Sequence, residues 1–159
     1  MKKIIVSILL LIILVVTYFF LIKQKTPIEV GMIVPNDNKK GVAIEIGNKG
    51  VNNIHLKKIV INTDEDPIKT NIQIRNGLQE FDTSDLFDFE KAKNVKIQSM
   101  EIKPNTSPKN LKMKINNGAA SAKEKVYDLS VLNNKKINRI TIKYRYLGVS
   151  FEQVIRLAY

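Results

Sequence analysis

Few residues in this chain have the type and spacing that catalysis needs. His55 is the single histidine. It stands beside Leu56 in an alternating stretch, which puts it on a strand surface rather than in a proton relay. Asn62, Asp64 and Asp66 have the alternate spacing of calcium-loop ligands. The glycine and the later glutamate of such a loop are missing and Pro67 follows, so a solvated turn is the better reading. Asp82, Asp85, Asp88 and Glu90 form a second acidic group. On a helix Asp85 and Asp88 would share one face, as a hydrolytic carboxylate pair would require. Acids in a first helical turn are equally explained by the helix dipole. No G-x-S-x-G, P-loop or H-E-x-x-H pattern occurs. The chain has no cysteine, which excludes disulfides, thiolate metal sites, a cysteine nucleophile and a lipid-modified cysteine. The expectation is a protein without catalytic residues, metal ligands or a cofactor.

Basic residues offer a different chemistry. Lys112 and Lys114 alternate with Leu111, Met113 and Ile115, and Lys143 and Arg145 alternate with Ile142, Tyr144 and Tyr146. Read as strands, both stretches put their cations on the solvent side, opposite the apolar partners. If the two strands share a sheet, the four cations make one basic face. Its partner would be an anionic wall polymer, lipid headgroups or another envelope protein. The plainer alternative is that these lysines solvate the face and blunt strand edges. The formal net charge is +11, and from Lys91 onward lie 15 of the 26 basic residues but only 4 of the 15 acidic ones. Nucleic acid is not expected as a partner, since the RNP pattern and tryptophan are both absent.

These side chains need elements to hold them. Ile4 to Ile22 is apolar except for Ser7, Thr17 and Tyr18. As a helix it would measure roughly 28 Å, close to the hydrocarbon thickness of about 30 Å. A cleaved signal peptide would have a shorter apolar core and an A-x-A site, and TYFFLIKQKTP offers none. Residues 1–25 are therefore expected to be a transmembrane anchor. Lys2 and Lys3 on one flank nearly balance Lys23 and Lys25 on the other, so the charge rule alone does not orient it. A short basic start before an apolar run favours a cytoplasmic amino terminus and a domain outside.

From residue 28 onward period two dominates. Ile28-Val30-Met32-Val34, Val42-Ile44-Ile46, Ile54-Leu56, Ile59-Ile61, Ile72-Ile74, Val95-Ile97, Leu111-Met113-Ile115 and Tyr127-Leu129-Val131 each alternate with other residues. Lys57-Lys58 suggests a bulge. Ile140 to Tyr146 and Val149 to Leu157 flank Leu147-Gly148 and predict a β-hairpin whose second strand runs to the last residues. Phe81–Ala92 breaks the rhythm and reads as a turn or two of helix. Eight or nine short strands separated by Asn/Asp/Pro-rich turns predict an all-β, two-sheet sandwich over 26–159.

The stretch Val42-Ala43-Ile44-Glu45-Ile46-Gly47-Asn48-Lys49-Gly50, followed by Ile54-x-Leu56 and Ile59-x-Ile61, resembles the strand, Asn-x-Gly, strand opening of immunoglobulin-like modules on bacterial surfaces. In its Lys, Ile and Asn bias the whole chain resembles small membrane-anchored proteins of Gram-positive bacteria. The resemblance implies an immunoglobulin-like fold and carries no functional residues with it. The expected protein is a single-pass, extracytoplasmic binding module. A structural or assembly subunit of a membrane complex is the alternative, and an enzyme with an unfamiliar site comes third.

Overall fold

The computed structural model describes residues 2–24, 26–79, 87 and 97–159, with the side chains of the first helix placed from Lys3 to Tyr18. That helix, α1, is Lys2–Gln24. Its apolar side chains from Ile4 to Val16 are 49–67 % exposed. The part with placed side chains is roughly 24 Å long, short of a hydrocarbon core of about 30 Å. Among the described residues no helix is long and apolar enough to cross a membrane.

Eight strands follow among the described residues: β1 (Ile28–Pro35), β2 (Gly41–Asn48), β3 (Ile54–Ile61), β4 (Lys69–Asn76), β5 (Glu101–Ile102), β6 (Lys125–Leu132), β7 (Arg139–Tyr146) and β8 (Val149–Arg156). They form two antiparallel sheets of four, in the orders β1-β2-β6-β4 and β5-β3-β7-β8. Val42, Ile44, Ile46, Tyr127, Leu129 and Val131 from the first sheet pack with Ile54, Leu56, Ile59, Ile61, Ile140, Ile142 and Tyr144 from the second in one buried cluster. Alternation explains this directly: on each strand every second side chain faces the opposite sheet. The last hairpin turns through Leu147 (φ 50°) and Gly148 (φ 79°). Two positive φ values in a two-residue loop match the right-handed twist of the strands it joins.

Several expectations are corrected. Leu111, Met113 and Ile115 are not on a strand; they lie in α2, a helix at Pro108–Asn116. The helix wins because Ser107 caps it, accepting from the Asn110 N–H, and Pro108 takes the first turn, where a missing N–H costs nothing. Ile97 lies in a single 3-10 turn, Ile97–Ser99, and Val95 is outside the described residues. Apart from Phe87, so is the Phe81–Ala92 helix with its acidic group. In β1 the alternation breaks after Val30, where the register shifts before Ile33 and Met32 is left 53 % exposed. The bulge at Lys57-Lys58 is present, as a register shift between Leu56 and Lys58. Asn48 and Gly50 do not adopt positive φ; their types are needed for another reason, given below.

The strand directions sort the loops onto two poles. The pole where β1 begins also carries the ends of β2, β4 and β7 and the starts of β3, β6 and β8. It is called the near pole, because only three residues lie between the end of α1 and Ile28. Helix α2 crosses it: Pro108 lies beside Gly31 and Gly47 at one side and Leu111 beside Gly77 at the other.

Burial on β7 sets up a direct comparison. Ile142 is fully buried, whereas Lys143 reaches out to Asp64 at 2.9 Å. Ile142→Ala is expected to destabilise the sandwich by about 2–5 kcal/mol in denaturant unfolding. Lys143→Ala should barely move the midpoint, and equal effects at the two positions would contradict this register.

Candidate functional site

The near pole is assembled around Asn48. Its side chain is fully buried. Nδ2 donates to Asn52 O (2.7 Å) and Ile102 O (2.9 Å), and Oδ1 accepts from Gly50 N–H (2.8 Å). Its backbone N–H donates to Thr106 Oγ1 at 3.0 Å, and its carbonyl accepts from Thr106 N–H at 3.1 Å. One residue thus fixes loop 49–53, loop 103–107 and the junction of the two sheets. Two core tyrosines reinforce it: Tyr146 Oη accepts from Val51 N–H and Tyr127 Oη from Lys103 N–H, both at 3.1 Å. Gly50 is required by packing, because a Cβ there would meet Tyr146 Oη at 2.5 Å.

On this frame lies a shallow cleft of about 620 Å³, lined on one side by His55, Lys57 and Arg145 and on the other by Asn52, Asn53 and the tip of the last hairpin. His55 and Arg145 are opposite one another on β3 and β7. The bulge at Lys57-Lys58 turns two successive lysines outward. Lys58 is neutralised by Asp66 at 2.7 Å, whereas among the described residues Lys57 and Arg145 have no acidic partner. His55 Nδ1 lies 3.2 Å from Glu101 Oε1. A hydrogen bond from Lys103, ahead of the charge of His55, holds the Glu101 carboxyl below its ordinary range. The cleft therefore offers two free cations, amide groups and an imidazole to an anion, with no placed nucleophile.

The four basic residues, which would make one face only if their two stretches shared a sheet, are dispersed. Lys112 and Lys114 are on exposed turns of α2, while Lys143 and Arg145 are on the outer face of the second sheet. Lys143 is drawn into Asp64 at 2.9 Å and Glu152 at 3.8 Å. Lys114 is tied to Glu124 at 2.9 Å. The hydroxyl of Ser121, followed by Lys114, pulls that carboxyl down to about 2. Among the described residues Lys112 and Arg145 have no acidic partner, and both are near-pole residues. Asp64 and Asp66 serve as partners of Lys143 and Lys58. Among the described residues no group of His, Asp and Glu could hold a metal ion.

A second polar constellation was not read from the sequence. On the outer face of the first sheet Glu45 and Asp128 are directly opposed on β2 and β6. Two carboxylates so placed repel. Arg75 on β4 resolves this: Nε binds Asp128 Oδ2 at 2.7 Å and Nη2 binds Glu45 Oε1 at 2.9 Å. The Asp128 side chain is 2 % exposed, and burial, against the opposing pull of Arg75, pushes it up to about 6. Gly31 leaves room for the Glu45 carboxylate, which a Cβ would strike. A proton exchanger is present in kind, but among the described residues the cleft does not reach it; its geometry ties three strands together.

No family model, no curated protein and no solved structure matches this chain. The functional reading therefore rests on this chain's own geometry.

The raised Asp128 predicts a pH effect of definite sign. Between about 4 and about 6 the folded state holds a proton that the unfolded chain releases, so stability falls as pH rises through that window. Asp128→Asn lacks this loss. Its stability relative to the parent should rise between pH 4 and pH 6 in urea titrations, and a constant difference would show that Asp128 is not the titrating group.

Proposed function

We propose that this chain is a membrane-anchored binding module: α1 is the anchor and the sandwich is displayed outside the cytoplasm to hold an anionic envelope component. The observation that carries the reading is the apolar helix. Its side chains from Ile4 to Val16 are half or more uncovered along nearly the whole length, and water is a poor solvent for such a surface. The helix backbone continues to Gln24 and the apolar run of the sequence to Ile22, so the segment reaches roughly the length of a hydrocarbon core. Backbone hydrogen bonds closed within the helix suit it to lipid.

The strand order favours an immunoglobulin-like sandwich. Reading β1 to β4 as A to D and β6 to β8 as E to G puts A-B-E-D on one sheet and C-F-G on the other. The short β5 is then an extra edge strand beside C. Such a sandwich presents loops at its poles on a rigid core, an arrangement suited to holding a partner. Two free cations facing a shallow cleft, with no nucleophile placed beside the His55–Glu101 pair among the described residues, favour binding over conversion.

A second reading, an assembly subunit in a membrane complex, draws on the same uncovered helix, with a partner helix in place of lipid. Membranes from cells expressing the full chain distinguish the two. The anchor reading expects resistance to alkaline carbonate extraction, and digestion of the sandwich by protease added to intact wall-stripped cells. Complete protection until lysis would reverse the orientation. Release by carbonate, or loss from the membrane without one stoichiometric partner, would favour the subunit.

A further inference from the structure

We infer that the near pole is a docking surface for the anionic headgroups of the bilayer that holds α1, with the His55–Lys57–Arg145 cleft receiving a headgroup phosphate. This rests on the anchor reading and goes beyond it, since an anchored domain need not touch its membrane. The tether between helix and sandwich is short. Pro27 is already fastened to the near pole, its carbonyl accepting from Lys49 N–H at 2.9 Å. Only three Cα steps separate Gln24 from Pro27, at most about 11 Å of chain. A headgroup region is roughly 5–8 Å deep on each side. A pole tied that closely to the end of a spanning helix lies at the headgroups.

The pole also displays apolar side chains among cations. Val51 is 82 % exposed at the tip of loop 49–53, and Leu147 is 41 % exposed at the tip of the last hairpin. A single apolar residue on a surface is ordinary, but these two border one cleft. Here each stands beside uncommitted cations: Val51 beside Lys49, and Leu147 beside Arg145 and Lys57 across the cleft. Helix α2 repeats the pattern with Met113 and Ile115 uncovered next to Lys112. Apolar tips among lysines suit the headgroup boundary, where the tip enters the acyl margin and the cation meets phosphate.

The wall of the cleft is also rigid. The Asn48 hydrogen bonds and the Tyr146 hydroxyl hold loop 49–53 in place, so the cleft exists before a headgroup arrives and its cations lose little freedom on binding.

The absence of cysteine allows a direct test. The full chain is placed in nanodiscs of phosphatidylcholine alone or with added phosphatidylglycerol. A polarity-sensitive fluorophore is attached at Val51→Cys or Leu147→Cys, with Asp37→Cys on the opposite pole as reference. Near-pole labels should shift to the blue and be shielded from an aqueous quencher in the phosphatidylglycerol discs, while the Asp37→Cys label behaves alike in both. Each exposed cation at an anionic leaflet multiplies binding by roughly fivefold. Lys57→Gln with Arg145→Gln should therefore cut the docked population at least several-fold, as should raising salt from ~0.05 to ~0.5 M. A near-pole label indistinguishable from the reference, or one shielded equally in both lipids, overturns the inference. Flotation separates the two layers of the argument. Chains that float with the discs yet leave Val51→Cys open to quencher remove only the docking, whereas chains that do not float remove the anchor and the docking together.

Discussion

The carboxamide of Asn48 is buried without any exposure at the end of β2, and a buried amide must find partners for two donors and an acceptor. It finds them on two separate pieces of chain, at Gly50 and Asn52 in loop 49–53 and at Ile102 in β5. Ile102 belongs to the second sheet and β2 to the first, so the side chain bridges the sandwich edge. The loops it fastens are the ones that carry Val51 and form one wall of the cleft. Leaving such groups unpaired costs about 1–3 kcal/mol each, which makes this corner all-or-none. Either the amide is in place and both near-pole loops are fixed, or several polar groups are stranded together. The surface assigned to binding is thus rigid for a reason internal to the fold.

Charge is handled differently on the two sheets. On the first, Arg75 lies between Glu45 and Asp128 in a setting where each side chain is at most 16 % exposed. Removing one member there strands the others, and buried pairs are costly to break even where their net contribution to stability is small. On the second, Lys58, Lys143 and Lys103 pair with Asp66, Asp64 and Glu101 at partly or largely exposed positions. Such pairs contribute little to stability, but they quench the middle of the outer face. Among the described residues Lys57, Arg145 and Lys112 at the near pole are left without an acidic partner, as are Lys39, Lys40, Lys135 and Lys136 at the opposite one. A large net charge by itself locates nothing; its usable part is what the acids leave free.

The strands were legible because a half-buried strand writes its register into alternate residues. Ile54-x-Leu56, Tyr127-x-Leu129-x-Val131 and Ile140-x-Ile142-x-Tyr144 all face the core as their spacing requires. Even the bulge at Lys57-Lys58 was visible, since two adjacent lysines cannot both follow a strict pleat. Helix α2 was not legible by that rule. Leu111, Met113 and Ile115 happen to alternate, yet only Pro108 and Leu111 are buried in it, so the apolar pattern carries little information. The decisive signal was Ser107-Pro108, a capping residue followed by a first-turn proline. The Glu45–Arg75–Asp128 clamp was beyond reach for another reason. Its members are 30 and 53 residues apart, and only the pairing of β2, β6 and β4 brings them level. Asn48 and Gly50 are types that suit a turn, but it is burial of the one and the Tyr146 hydroxyl beside the other that require them.

The basic second half of the chain illustrates how a sandwich redistributes sequence. The first sheet takes β1, β2, β4 and β6, the second β3, β5, β7 and β8, so neither sheet inherits one half. Loops are sorted instead by strand direction, and the near pole receives Lys49 and Lys57 from the early part, Lys112 and Arg145 from the late part. On the proposed reading a short tether makes such a modest set of cations sufficient. A free domain would have to overcome the loss of translational and rotational freedom before a few weak contacts could hold it to a membrane. A domain fastened by three residues has already lost that freedom through its anchor, and its effective concentration at the headgroups is in the millimolar range or above. Contacts too weak to recruit a protein from solution are then strong enough to orient one that is already there. Orientation in turn decides which surface of the sandwich faces outward: with the near pole against lipid, the opposite pole, at Asp37 to Lys40 and Asn134 to Lys136, is the end presented to whatever lies beyond the membrane.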